Sequence, residues 1–296
     1  MSRPRRSAHF VPGANEKMLQ KSLATGADAL ILDLEDAVTP ENKDSARSTV
    51  AEWLRDVDFG AQERIVRMNS LDSPWWRDDL EGVLEHPPDA LLVPKVNHGD
   101  DVVEISRRLE ALEEEHGHEK GRVELILLAT ETALGVLNIS SMVASDRVTA
   151  LTWGAEDLSA DLGSKANRDP SGRLLPIFEY CRNLTLLAAT AARIPALDSV
   201  FVDIRDTDGL ARECREAADM GFLGKISIHP AQIDVINDAF TPSDEEIETA
   251  RELLAALEEH QKEGRMAFAF RGQMVDVPHF ERARRRLALR DAIDHR

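Results

Sequence analysis

The run ALILDLEDAV passes straight from Ala29, Leu30, Ile31 and Leu32 into Asp33, Glu35 and Asp36. Three acids beside an apolar segment call for compensation, because an unpaired charge next to a core is costly. Other polar residues end apolar runs in the same way: Arg67 and Asn69 after RIV, Lys95 after ALLVP, Glu131 after LILLAT, Glu156 and Asp157 after TWG, Asp203 within FVDI, and His229 after KISI. If these groups converge, several acids around one Arg need a further counter-charge, and a divalent cation supplies it. The donors are oxygens without a His or Cys cluster, which favours Mg2+ over Zn2+. Magnesium takes one or two protein carboxylates and leaves positions for substrate oxygens. The chemistry expected is Lewis-acid activation of a carboxylate-bearing substrate through an enolate, with Arg67 holding the carboxylate in bidentate fashion.

Each residue also has a plainer reading. Arg67 alone could be a rim salt bridge, since ion pairs among rim residues produce similar clusters. Glu131 could sit at a helix N-terminus for the sake of the dipole, and Asp157 could cap the helix that follows it. His229 before Pro230 could cap a strand.

The elements that must position these residues are eight apolar, β-branched runs: SAHFVP (7–12), ALILDL (29–34), RIVRMN (64–69), ALLVPKV (90–96), VELILLATE (123–131), VTALTWG (148–154), DSVFVDI (198–204) and GKISIHP (224–230). Helix-period segments separate them, among them NEKMLQKSLATG, ENKDSARSTVAEWLRD, DDVVEISRRLEALEEEHG and PIFEYCRNLTLLAATAARI. Strands alternating with helices imply parallel pairing through crossovers, and eight units suffice to close a (β/α)8 TIM barrel. An open doubly wound sheet would permit the same alternation, but no GxGxxG follows any strand. In a barrel the active site lies at the C-terminal strand ends, where the polar residues fall. We expect a barrel domain over residues 1–239. Residues 240–296 form a C-terminal helical extension free to pack on the barrel mouth or on a neighbouring subunit.

Composition narrows the partners. The 296 residues carry a formal net charge of -18, which argues against nucleic acid or an anionic membrane surface. Much of the acid falls in SDEEIETARELLAALEEHQKE, read as a solvated helix begun by a Ser243 cap with Glu246 in the capping-box position. No apolar run approaches the ~20 residues that span a bilayer. The basic N-terminus lacks an apolar h-region, and Cys181 and Cys214 form no metal or disulfide pattern, so a cytoplasmic protein is expected. Arg3, Arg5, Arg6, Lys17, Lys21, Lys43 and Arg47 concentrate positive charge near the start, where it could serve a phosphorylated ligand.

The blocks RRSAHFVPGANEKM, ALILDLEDAV, KDSAR, RIVRMNS, LLVPKV, ATETALG, WGAEDLSADLG and GQMVDVP resemble, in order, those of the citrate lyase beta-subunit and malyl-CoA lyase family. The resemblance implies a Mg2+-dependent barrel enzyme, usually a homotrimer, that makes or breaks a carbon–carbon bond next to a thioester. By motif it makes Glu131 and Asp157 the direct metal ligands and Arg67 the binder of the substrate carboxylate. Glu35 and Asp36 would hold metal-bound waters, while Asp33 is left as a structural ion pair near the rim. The CoA portion would lie along Phe10, Lys17, Lys21, Lys43, Arg47, Ile228 and His229. Asp276 would reach across the trimer into the next site as the proton carrier. The implied reaction cleaves a 3-hydroxyacyl-CoA such as malyl-CoA or citramalyl-CoA to acetyl-CoA and a 2-oxo acid, glyoxylate or pyruvate. Close alternatives are a malyl-CoA thioesterase or malate synthase-like activity, and a citrate lyase beta subunit acting on a carrier-bound acyl group.

Overall fold

The computed structural model describes residues 3–262 and 264–295. Eight strands form one parallel sheet: β1 (Ser7–Pro12), β2 (Ala29–Asp33), β3 (Glu63–Arg67), β4 (Ala90–Val93), β5 (Glu124–Leu128), β6 (Val148–Thr152), β7 (Leu197–Asp198) and β8 (Gly224–Ser227). They pair in sequence order from β1 to β6, and β1 also pairs with β8, which pairs with β7. A parallel bridge between Leu151 and Ala196 joins β6 to the approach of β7 and closes the circle. The fold is the expected (β/α)8 barrel, with helices α1 (Glu16–Leu23), α2 (Lys43–Asp56), α3 (Trp76–Val83), α4 (Gly99–Glu115), α5 (Ala133–Met142), α6 (Ala155–Asp161), α7 (Pro176–Ala192), α8 (Thr207–Met220) and α9 (Ile233–Phe240) between and after the strands.

Strand and helix patterns explain this layout. β2 is buried throughout, as expected of a strand with the barrel interior on one face and helices on the other. Ala8, Ala29, Ile31, Ile65, Ala90, Leu92, Ile126, Leu128, Ala150, Leu197 and Ile226 fill the interior. In α2, Ala46, Val50, Trp53 and Leu54 form a buried stripe at helical spacing. Thr132 and Asp206 start α5 and α8 by accepting the backbone N–H groups of Gly135 and Gly209.

One strand departs from expectation. The seventh is Leu197–Asp198 rather than residues 198–204, and Asp203 lies in an exposed loop where it accepts the backbone N–H of Arg205. The alternation FVDI does not mark buried residues, for Val202 and Ile204 are exposed. Asp198 instead turns into the surrounding layer, where Lys225, Arg182 and the Trp153 indole bind it.

The chain divides into two compact units, Arg5–Asn237 and Asp238–Arg296 with the residues up to Pro4. Within the second, α10 (Asp244–Lys262), a hairpin of β9 (Phe268–Phe270) and β10 (Gln273–Val275), and α11 (Val277–Asp294) share a core of Ala250, Leu253, Leu257, Phe268, Val275, Phe280 and Ala283. The expected capping box opens α10: Ser243 N–H donates to Glu246, and Glu246 N–H donates back to Ser243 Oγ. Among the described residues no helix is long and apolar enough to cross a membrane.

Candidate active site

Matched parity on adjacent strands builds the centre of the mouth. Ile31 and Ile65 face the interior, so Asp33 and Arg67, two positions on, face it too; they are also register partners. Arg67 Nε and Nη2 each donate to one Asp33 oxygen at 2.7 Å. Arg67 Nη1 lies 3.0 Å from Glu35 and 3.6 Å from Asp36, and the guanidinium stacks 4.5 Å from the Phe10 ring centre. Asp33 is thus the ion pair expected of it, and it also ties down the next turn by accepting the N–H groups of Glu35 and Ala37. This geometry corrects the picture of Arg67 as a free fork: Asp33 occupies its Nε/Nη2 edge, and only Nη1 is turned elsewhere.

Lys95, to which the sequence assigns only a strand-end position, is the hub of the cluster. Its Nζ lies 2.5 Å from Glu35, 3.3 Å from Asp157 and 3.7 Å from Asp36. Its backbone N–H donates to Glu131 Oε2 at 2.7 Å. That N–H is aimed by a left-handed backbone, φ 53°, a conformation that costs a non-glycine residue about 1–2 kcal/mol. Burial opposes charge on Lys95, yet its hydrogen bond to Glu35 and the charges of Glu35, Glu131 and Asp157 hold the ammonium well above the lysine range.

Glu131 is buried directly after β5, before the Thr132 cap. Gly154 makes room for it, since a Cβ there would lie 2.6 Å from Glu131 Cγ. Burial, then the negative charges of Asp157 and Glu35, push the Glu131 carboxyl well above the usual carboxylate range despite Lys95. Burial likewise raises Glu35, outweighing Arg67 and Lys95. Asp157, half-buried in the first turn of α6, does not cap that helix; Gly154 holds the cap position.

The donors fit a hard divalent cation. Five carboxylates (Asp33, Glu35, Asp36, Glu131 and Asp157) face three cations (Arg67, Lys95 and Lys43), a formal surplus of two negative charges. Glu35 Oε2 is buried and, although 3.0 Å from Arg67 Nη1, has no aligned hydrogen-bond donor. Among the described residues no three His, Cys, Asp or Glu side chains gather as a metal cage; Glu131 and Asp157 offer two oxygen donors, a number of protein carboxylates that magnesium accepts.

The basic residues near the start separate into two groups. Lys17 and Lys21 are exposed on α1. Lys43 is buried, and its ammonium donates to the carbonyls of Leu34 and Glu35 at 2.8 and 2.7 Å, so it clamps the LEDAV turn rather than offering its charge to CoA. Arg47 pairs with Asp44 and Asp79, and Asp79 in turn accepts the backbone and side-chain N–H groups of Asn69. Ile228 is half-buried, and exposed His229 caps the turn Pro230–Gln232 by accepting Ala231 N–H. In the second unit, Asp276 is the exposed N-cap of α11, with its carboxylate 2.7 Å from His279 Nδ1. Sequence reasoning passed over the role of Lys95; the signal available was a lysine directly after Val-Pro at a strand end, where the backbone must turn.

A closed barrel whose strand ends gather buried carboxylates, an arginine and a lysine is the layout of an enzyme built around oxygen donors at the C-terminal face. Residues 6–230 match the family model for HpcH/HpaI aldolase/citrate lyase, and the chain belongs to that family. Three relatives are each 38% identical over 98% of the chain: citrate lyase subunit beta of Leuconostoc mesenteroides subsp. cremoris, mitochondrial citramalyl-CoA lyase of Mus musculus and (3S)-malyl-CoA thioesterase of Cereibacter sphaeroides, with 94%, 87% and 96% of those proteins covered. Among solved structures, CitE from Mycobacterium tuberculosis in complex with magnesium, acetoacetate and coenzyme A is 33% identical, with a TM-score of 0.79 and 98% of both chains covered.

Proposed function

We propose that this chain is a Mg2+-dependent carbon–carbon lyase acting on a CoA thioester. It cleaves, or in reverse forms, a 3-hydroxyacyl-CoA such as malyl-CoA or citramalyl-CoA, giving acetyl-CoA and glyoxylate or pyruvate. The observation that carries this reading is the acid at the mouth, five carboxylates against three cations, with Glu131 buried and near enough to Asp157 for their charges to repel. Glu131 and Asp157 would hold the magnesium, with Glu35 and Asp36 placing its waters. When bound, the metal supplies Lewis-acid polarisation of the substrate's oxygens.

The chain's own groups account for the rest. Arg67 Nη1 is the edge that would meet the substrate carboxylate, while Asp33 and the Phe10 ring hold the guanidinium plane. The substrate hydroxyl gives up its proton to solvent, its oxygen forms the carbonyl of the 2-oxo acid as the carbon–carbon bond breaks, and the electron pair of that bond passes into the thioester as an enolate. Asp276, from a neighbouring copy in a homotrimer, would deliver the proton to the enolate carbon. Phe10, Lys17, Lys21, Ile228 and His229 would line the CoA portion, with Arg47 behind them and Lys43 shaping the turn. We place the protein in the cytoplasm.

The malyl-CoA thioesterase at the same identity favours a second reading, in which water attacks the thioester. The citrate lyase subunit favours a carrier-bound substrate in the same way. Incubation with malyl-CoA, methylmalyl-CoA and citramalyl-CoA, followed by mass spectrometry, separates them. A 2-oxo acid formed only with Mg2+, and lost in Glu131→Ala, supports the lyase. Malate and free CoA without a 2-oxo acid would replace it with the hydrolase, and turnover only on an acyl-carrier protein with the subunit.

A further inference from the structure

We infer that the Lys95 ammonium is the built-in counter-ion of the metal-free mouth, and that a divalent cation displaces it from Asp157 and Glu35. The inference deepens the magnesium reading and rests on it.

Three observations converge. The ammonium lies 2.5 Å from Glu35, 3.3 Å from Asp157 and 3.7 Å from Asp36, so it touches one proposed ligand and both acids proposed to hold metal-bound water. Its root is fixed, because the left-handed backbone at Lys95 gives the N–H to Glu131, the other proposed ligand. Its tip, although bonded to Glu35, has an open side to swing into: the side chain is 27% exposed, and a lysine stem has four rotatable carbons. Lysine therefore holds Glu131 by its backbone and guards Asp157 by its tip.

A magnesium ion sits about 2.0–2.1 Å from its oxygen ligands. An ammonium on the same carboxylate would then face a double positive charge at close range, a strongly repulsive contact even in a partly hydrated site. The ammonium must swing outward as the metal enters, and the lost ion pairs are subtracted from metal affinity. The gain is a mouth that does not leave its acids unpaired between metal-binding events.

Titration calorimetry of the full chain with MgCl2 tests this without turnover. Wild type should bind, and both Lys95→Met and Lys95→Gln should bind about tenfold tighter, because one competing unit charge is removed. Without metal these variants should melt at lower temperature than wild type, and saturating MgCl2 should narrow the gap. Unchanged or weaker binding by the variants, with normal binding by wild type, overturns the displacement and leaves the magnesium reading intact. No binding by wild type overturns both. A second measurement needs no variant: acetylation of Lys95 in wild type by an N-hydroxysuccinimide ester, followed by peptide mass spectrometry, should speed up severalfold on adding MgCl2. An unchanged or slower rate overturns the inference.

Discussion

At the N-terminal end of the strands, Arg5 gives Nε and Nη2 to Glu63 at 2.7 and 2.6 Å, and Nη2 also reaches Glu124, which accepts Thr149 Oγ1 as well. At the C-terminal end of the same strands, Glu131 has no comparable fork: it receives a backbone N–H from Lys95 and faces other acids. β3 carries both cases, with Glu63 at one end and Arg67 at the other. The floor is closed upon itself, so nothing from outside is needed to complete it. The mouth keeps buried acid in formal excess, with burial raising Glu131 and Glu35 above the usual carboxylate range, as expected of a functional site. The layer between strands and helices follows the floor. There Lys225 lies 2.9 Å from both Asp198 and Glu213, Arg182 and Trp153 also bind Asp198, and the lysine and arginine bring Asp198 down to about 2 against its burial.

The largest effect expected from this contrast is at Glu131. Glu131→Gln should reduce kcat/KM by about 10³-fold or more, because a Lewis acid contributes several kcal/mol to the transition state and one of its two proposed holders is lost. The same change removes a buried carboxyl that burial disfavours, so stability in urea should hold or rise. A variant that lost both activity and stability would place Glu131 with the floor instead.

The floor should give the opposite pair of results. Arg5→Met leaves Glu63 buried without its cation, which costs about 3 kcal/mol or more of folding stability. Urea denaturation reads the loss, and calorimetry should find magnesium affinity unchanged in the folded fraction. Loss of metal binding at unchanged stability would break the distinction between the two ends.

Much of this was legible because strands and chemistry share a phase. ELILL and ALLV could be read as buried strands from composition alone, and Glu131 and Asp157 fall directly beyond such runs. The Asp33–Arg67 pair was also latent, since both residues share the parity of Ile31 and Ile65. Lys43 was not legible: nothing local says that a lysine on α2 will spend its charge on the carbonyls of Leu34 and Glu35. The roles of Lys95 depend on one backbone angle and on carboxylates from the turns after β2 and β5 and from α6, which one-dimensional spacing does not encode. The seventh strand misled because an alternating apolar run looks the same whether or not a partner strand covers it.

Acid should separate the closed networks from the mouth. The Asp198 carboxyl in the folded protein titrates near 2, below the ordinary value of 3.8 that the unfolded chain would have. A depressed folded value means stability present above about pH 4 and lost as pH falls toward 2, amounting to about 2 kcal/mol for this group. Urea midpoints of Asp198→Asn and wild type should therefore differ most at neutral pH and draw together below pH 3. Midpoints separated by a constant amount down to pH 2 would mean that Lys225 and Arg182 do not hold this carboxylate as the geometry indicates.

The smallest effect expected is at Glu35, which belongs to the mouth without being a proposed ligand. Glu35→Gln keeps the shape but removes charge from the group that would orient metal-bound water, a change worth about tenfold in metal affinity. Glu35 also anchors Lys95 at 2.5 Å, so the substitution loosens the internal competitor at the same time. The two consequences oppose each other, and residues sharing a network do not add. In Lys95→Met the competitor is already gone, so the added Glu35→Gln change should weaken magnesium binding by more than it does in wild type. Equal effects in the two backgrounds would separate Glu35 from Lys95 and leave the mouth without the coupling that the shared ion pairs imply.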